Sequence, residues 1–379
     1  MKKFFLLLLI CISFVPRANA IEMETSAKSA ILIDQNTGTI LYKKNENEQL
    51  PMASMTKIMS LILIMEKIND GSLNYEDEVI ISEDASSMGG SQIFLQVGDK
   101  YKVRELLKSV AMASANDAVV ALAEKTYGTK DAFIEAMNKK VKELGLKNTN
   151  FVNVHGLDEE NHYSSAYDMA MMSKELLKYE DIITFTSVYE EYLQKPDGSQ
   201  IWLVNTNKLV RFYEGVDGLK TGYTQGAGYC LTATGKRNDL RLISVVMGEE
   251  SIEMRSQDTV KLLNYGFNSY KVNMIKRKNE VLGKVKVEKG KDEYADVVLV
   301  NDAIELLNVN DKISKYTFDL SLDKITAPVK KGEIIGNVRI LDAKGKLINE
   351  VQITVKANVD KATMWDLFVR NIKSAVSFQ

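Results

Sequence analysis

Cysteine, histidine, proline and tryptophan are all scarce in this 379-residue chain, at two, two, four and two copies. Two histidines seven positions apart, His155 and His162, and two distant cysteines, Cys11 and Cys230, give a zinc centre little to build on, and no metal is expected. A positive excess is also absent. With 49 basic and 51 acidic side chains the net charge is −2, which argues against nucleic acid as a partner. No apolar run reaches the ~20 residues that cross a bilayer as a helix, and no low-complexity tract or useful internal repeat is evident. With 45% apolar and 26% charged residues, the composition is that of a globular chain long enough for two domains.

Met1-Lys2-Lys3, the apolar run Phe4 to Ile12 and Ala18-Asn19-Ala20 read as a secretory signal peptide cleaved after Ala20. Ile10 stands before Cys11 where a lipoprotein signal wants a small residue, so a lipid-modified cysteine is not expected. Cleavage removes Lys2, Lys3 and Arg17, leaving 46 basic against 51 acidic side chains and a net −5. Only Cys230 then remains, which precludes an intramolecular disulfide in an exported chain. In its Tyr-Cys-Leu-Thr-Ala strand pattern Cys230 reads as a small buried hydrophobe.

Ala30 to Asp34 and Thr39 to Tyr42 flank the turn-forming Gln35-Asn36-Thr37-Gly38 and predict a hairpin. Ile58, Leu61, Ile62 and Met65 predict a helix over about 53–68, with Ser54 and Lys57 sharing a face at its first turn. Further helices are expected near 102–113, 117–127, 131–144 and 165–178. Alternating runs at 216–222, 228–235 and 240–248 predict an antiparallel meander, closed by a helix over about 251–266. Strands at both ends with helices between suggest one sheet joining hairpin to meander. From about 272 to 358 strand patterns dominate, as in a small β-sandwich. At the end, Trp365, Phe368, Val369, Ile372 and Val376 share one helical face, with Arg370 and Lys373 away from it. That is the composition of an amphipathic helix lying on a membrane surface, with docking onto the β domain or a dimer partner as the alternative. The expected division is 1–20 signal peptide, 21–270 first domain, 271–359 β-rich domain and 360–379 terminal helix.

Three short motifs carry chemistry: Ser54-Met55-Thr56-Lys57, Ser114-Ala115-Asn116 and Lys220-Thr221-Gly222. Alone each is weak, because Ser-x-x-Lys recurs at Ser321/Lys324 and Ser-x-Asn at Ser72/Asn74. Together, in order, they supply a nucleophile, a base, a proton relay and an anion anchor. A lysine with the ordinary pKa of ~10.4 accepts a proton near neutrality only when desolvated or set beside another cation, and Lys220 is the candidate cation for Lys57. Ser54 thus reads as nucleophile and Lys57 as general base. Ser114 can relay a proton, and Asn116 can accept from a lysine while donating to a substrate carbonyl. Ser114-Ala115-Asn116-Asp117 also reads as the N-cap of the following helix.

The trio resembles the signature of penicillin-binding proteins and serine β-lactamases. Asn153-Val154-His155-Gly156-Leu157-Asp158, His162 to Ala170, Gly215-Val216-Asp217-Gly218, Ala227 to Leu231 and Leu242 to Gly248 narrow the likeness to low-molecular-mass serine D-alanyl-D-alanine carboxypeptidases, over roughly residues 25–270. The resemblance implies a transpeptidase-like α/β catalytic domain of antiparallel sheet and helices, followed by the all-β domain and amphipathic helix. It implies a substrate, the peptidoglycan stem peptide ending in D-Ala-D-Ala, acylation by β-lactams, an outer cell-envelope location and no cofactor. It assigns the substrate carboxylate to Lys220, Thr221 and Arg255, close acyl-chain approach to Gly222, and the oxyanion hole to the backbone N–H groups of Ser54 and Tyr223. Neither histidine supplies a catalytic proton, and Gly89-Gly90-Ser91 forms a loop beside the cleft or a plain turn. A β-lactamase, with Glu159 or Glu160 as the extra carboxylate, and a non-enzymatic penicillin sensor are the rivals. Oligomeric state is not defined by these patterns.

Overall fold

The computed structural model describes residues 23–376 apart from Ser314 and Asp323, with side chains as far as residue 370. The expected signal peptide, with Cys11, and the side chains of Ile372, Lys373 and Val376 lie outside the described residues.

Strands β1 (Ser29–Asp34), β2 (Ile40–Lys44), β3 (Val216–Thr224), β4 (Gly228–Arg237) and β5 (Leu240–Glu249) form one antiparallel sheet in the order β2-β1-β5-β4-β3. Hairpin and meander therefore meet, as the sequence suggests, through pairs such as Leu32 with Ser244. All six residues of β1 are buried because both faces are covered. Ile31 and Ile33 enter the larger core, with Ile58 and Met169 of α1 (Lys57–Asn69) and α4 (Ala166–Leu176). Ala30 and Leu32 enter a second core with Leu262 and Leu263 of α5 (Ile252–Ser269). The period-two geometry of a strand thus sends alternate side chains into two cores.

Helix α1 departs from the expected single stripe. Every residue from Lys57 to Met65 is buried, so it is a central helix clad on all sides. Its first turn is also not α-helical: Ala53–Thr56 forms a 3₁₀ turn, with Ala53 in the left-handed region at φ 48°. Helices α2 (Val103–Ala113) and α3 (Asn116–Tyr127) stand close to their expected positions. A hairpin of Glu190–Gln194 and Gln200–Val204, unforeseen in the sequence, precedes β3.

Beyond Ser269 the chain is β-rich. Five antiparallel strands run in the order Val281–Lys286, Tyr294–Leu299, Leu347–Val355, Ile334–Leu341 and Thr317–Leu322. A ribbon of Tyr270–Lys276 with Ala303–Asn308 is a separate sheet that shares their core through Ala303, and Asn349 Nδ2 donates to Ile304 O at 2.8 Å. Helix α6 (Met364–Val376) ends the described chain, with Trp365 and Phe368 exposed and stacked at 5.7 Å. Arg370 donates at 2.7 Å to each of the carbonyls of Gly290 and Lys291. Both bonds come from one terminal nitrogen of the guanidinium and use its two N–H groups.

Edge strand β3 lies against the 3₁₀ turn. A methyl added at Gly222 would sit 2.8 Å from Met52 O, 3.1 Å from Ala53 Cβ and 3.3 Å from Met55 N. These are mostly backbone atoms, which cannot swing aside. Gly222→Ala should therefore lower the thermal unfolding midpoint, by about 1–3 kcal/mol of stability. Gly283→Ala, with nothing within 4 Å of the new methyl, should be neutral or stabilising by up to about 1 kcal/mol. Equal melting curves for the two variants would contradict this packing.

Candidate active site

The 3₁₀ turn presents Ser54 three residues before α1 begins, and Lys57, the first residue of α1, follows on the same side. Lys57 Nζ lies 3.0 Å from Ser54 Oγ, 2.6 Å from Asn116 Oδ1 and 2.7 Å from the carbonyl oxygen of His155. Asn116 Nδ2 donates to Gly89 O at 2.7 Å, which fixes its amide so that Oδ1 faces the lysine. Two of the three lysine contacts are thus pure acceptors. A neutral amine has two N–H donors and one lone pair. With both donors taken by Asn116 and His155, the lone pair is left for the serine hydroxyl. Burial drives Lys57 well below the usual lysine range, and the charge of Lys220 adds to this; Asp117 opposes it weakly.

Lys220, on β3, is buried as well, and its Nζ donates to the carbonyl of Thr221 at 3.0 Å. Its pKa falls to about 7, first through burial and then through the charge of Arg255. Arg255, on the first turn of α5, is buried too; it makes no ion pair with a carboxylate among the described residues, and its Nε has no partner. The structure brings Lys220 and Arg255 together as two buried basic groups, and an anion bound beside them would favour the charged form of Lys220.

Ser114 ends α2 in the left-handed region, φ 62° and ψ 28°, and its buried Oγ has no hydrogen-bond partner. It does not cap the next helix, whose N-cap position is Ala115. The first turn is held instead by Asp117, whose carboxylate accepts the N–H groups of Ile93 and Leu95. The Gly89-Gly90-Ser91 segment is bound to the site, since Asn116 N also donates to Ser91 O at 2.7 Å.

Thr221 donates its hydroxyl to Thr206 Oγ1 at 2.7 Å, a residue the sequence reading missed because no motif marks it. The glycine of the third motif is used against the serine turn rather than towards open space. Tyr223 is exposed and stacked on Tyr229 at 4.3 Å, one position beyond Gly222. The His155–Asp158 segment crosses towards the same strand. Asp158 accepts from Thr224 Oγ1 at 2.6 Å and from Gly226 N at 3.1 Å. Of the two candidates for the one extra carboxylate of a β-lactamase, Glu159 is engaged by Asn153 Nδ2 at 2.9 Å, and Glu160 is exposed. Both histidines are buried and pushed down to about 4, mainly by desolvation, so they are neutral at physiological pH.

No group of three or more His, Cys, Asp or Glu side chains among the described residues is arranged to hold a metal. The arrangement instead offers a serine hydroxyl, an amine against it whose burial favours the neutral form, an unpaired hydroxyl and two buried basic groups. That is what attack on a carbonyl next to a carboxylate requires.

The chain matches a family model described as D-alanyl-D-alanine carboxypeptidase over residues 16–251, and a second, the C-terminal domain of penicillin-binding protein 5, over residues 270–361. It is 46% identical over 342 residues to D-alanyl-D-alanine carboxypeptidase DacF of Bacillus subtilis, covering 90% of this chain and 88% of the relative. Penicillin-binding protein 5 of Haemophilus influenzae superposes with a TM-score of 0.69 at 31% identity, covering 89% of this chain and 98% of that one. Penicillin-binding protein D2 of Listeria monocytogenes, solved in its ampicillin-bound form, gives 0.58 at 30% identity, covering 65% and 99%. With this likeness running through both the sheet-and-helix part and the β-rich part, the chain belongs to the serine D-alanyl-D-alanine carboxypeptidases, the low-molecular-mass penicillin-binding proteins.

Proposed function

We propose that this carboxypeptidase removes the terminal D-alanine of peptidoglycan stem pentapeptides through an acyl-enzyme on Ser54, with Lys57 as general base. One observation carries the reading: the buried Lys57 amine has both N–H donors engaged and its third contact is the Ser54 hydroxyl at 3.0 Å. As Ser54 Oγ attacks the penultimate carbonyl, its proton passes to Lys57 Nζ, and the tetrahedral oxyanion is held by the N–H groups of Ser54 and Tyr223. The unpaired hydroxyl of Ser114 relays a proton to the leaving amine of D-alanine. Asn116, with one N–H on Gly89 O, has its second for the substrate amide carbonyl. Lys220 and Arg255 hold the terminal carboxylate, with Thr221 beside them. Water then attacks the ester, and Lys57 serves again as base. β-Lactams, which present the same carbonyl and carboxylate, acylate Ser54.

The unit that carries this chemistry is residues 21–270, with a β-rich unit, read as a small β-sandwich, over 271–359. The enzyme is exported behind the 1–20 signal and works at the outer face of the cytoplasmic membrane. No described helix is long and apolar enough to cross a membrane. Residues 360–379 attach by lying in the interface, a reading supported by the exposed, stacked Trp365 and Phe368. The bonds from Arg370 to Gly290 and Lys291 fit a helix held on the β-rich unit while its aromatic side is offered to lipid.

A fluorescent penicillin should label the protein one to one, and purified protein should release D-alanine from a D-Ala-D-Ala pentapeptide. Ser54→Ala should lose both while keeping its circular dichroism spectrum. Labelling that persists in Ser54→Ala and maps to another serine, such as Ser321, would sink the assignment.

Truncation before Asp360 should abolish co-sedimentation with liposomes containing anionic lipid and leave D-alanine release from small peptides intact. Equal sedimentation of both forms would favour a helix that serves only as a protein contact.

A further inference from the structure

The backbone N–H of Ser54 and the carbonyl of Ala53 are opposite ends of one peptide plane. Whatever fixes that carbonyl also aims the N–H. Ala53 sits at φ 48°, a conformation a β-carbon disfavours, so its plane needs outside support. The support is a chain of hydrogen bonds that the reaction itself does not use. Thr56 Oγ1 donates to Ala53 O at 2.8 Å. Thr56 Oγ1 also lies 2.8 Å from His162 Nε2, and Val152 N donates to His162 Nδ1 at 3.1 Å. Because Nδ1 accepts, the ring proton is on Nε2, and Nε2 donates to the threonine. Direction is therefore set along the whole chain, from Val152 N–H through His162 and Thr56 to Ala53 O.

Thr56 and His162 are buried, and the edge of the His162 ring meets Phe151 at 5.9 Å, which limits its rotation. Burial also keeps the imidazole neutral, with a pKa near 4, so the acceptor at Nδ1 persists at physiological pH. Gly156 closes the other side: a β-carbon there would fall 1.9 Å from Ala53 O, at a φ of +96°. The peptide plane is thus held by a hydrogen bond and by backbone contact at once.

We propose that His162 and Thr56 are positioning residues for the oxyanion hole, holding the Ala53–Ser54 peptide so that the Ser54 N–H meets the developing oxyanion. The inference rests on Ser54 being the nucleophile. An interaction needed only as charge develops on oxygen acts on the acylation step and not on prior binding. Removing a whole oxyanion donor slows catalysis by ~10²–10³, so misaiming one should slow it by roughly 10–10².

Stopped-flow acylation by a chromogenic penicillin separates the non-covalent dissociation constant from the acylation rate constant. Thr56→Val and His162→Phe should slow acylation by about 10–10²-fold with the dissociation constant unchanged. Thr56→Ser, which restores the hydroxyl, and His162→Gln, which can accept at one amide atom and donate from the other, should recover most of the rate. Melting curves identify any variant that does not fold; should Thr56→Val fail, His162→Phe against His162→Gln decides by the same criterion. Parental acylation in folded Thr56→Val or His162→Phe, or a loss that the conservative partner does not restore, would overturn the proposal. Mass mapping of the penicillin adduct keeps the two readings apart, since an adduct away from Ser54 refutes the nucleophile assignment whatever the variants do.

Discussion

Lysine is a poor base in water and a workable one only where its ammonium form is starved of solvent. Lys57 is wholly buried at the start of a helix that is itself buried on all sides, and a second buried cation stands near enough to disfavour its proton further. Charging such a group without water or a full set of acceptors is costly. The acceptors present suit the neutral form. Asn116 Oδ1 and His155 O take the two N–H donors and direct the lone pair at Ser54. The surrounding fold can be understood as what keeps those four groups dry and in register.

Each wall of the site comes from a distant part of the chain. The serine turn is pressed between β3, through the missing β-carbon of Gly222, and the His155–Asp158 segment, through that of Gly156. The second segment is clasped to the end of β3 by Asp158 with Thr224 and Gly226. Asn116 is pinned by backbone atoms of Gly89 and Ser91 at the mouth of α3. Arg255 is carried by α5, which is tied to the beginning of the described chain where Asp258 accepts from Ser26 Oγ at 2.8 Å. The hydroxyl of Ser114 and Nε of Arg255 have no partner, and Lys220 makes one bond, to Thr221 O; these are groups the substrate is expected to engage.

Much of this was legible from residues alone. Alternation located β1, β2 and the β3–β5 meander, and the three motifs, taken in order, picked out side chains that the fold gathers in one place. The parts that escaped share a cause: they depend on contacts between segments far apart in sequence. The hairpin of Glu190–Gln194 and Gln200–Val204 shows only a short alternation, and Thr206 matters because of where that hairpin ends. The strand Ala303–Asn308 is defined by its pairing with Tyr270–Lys276. Periodicity puts one apolar stripe on α1, but the sheet and neighbouring helices clothe every side of it from Lys57 to Met65. At Gly222 the missing β-carbon faces Met52 and Ala53, a contact that the motif alone does not show. The bonds from Arg370 to Gly290 and Lys291 likewise join segments about 80 residues apart.

The protonation state of Lys57 is the claim from which the rest follows, and it can be measured directly. Side-chain NMR of protein carrying ¹³C,¹⁵N-lysine, with the Lys57 signal assigned by its loss in Lys57→Arg, follows the titration of this one amine. Burial holds the folded-state pKa well below the ordinary ~10.4, so the account predicts that Lys57 loses its proton, as pH rises, well before an exposed lysine does. A Lys57 resonance that remains that of an ammonium group up to about pH 10 would contradict the account.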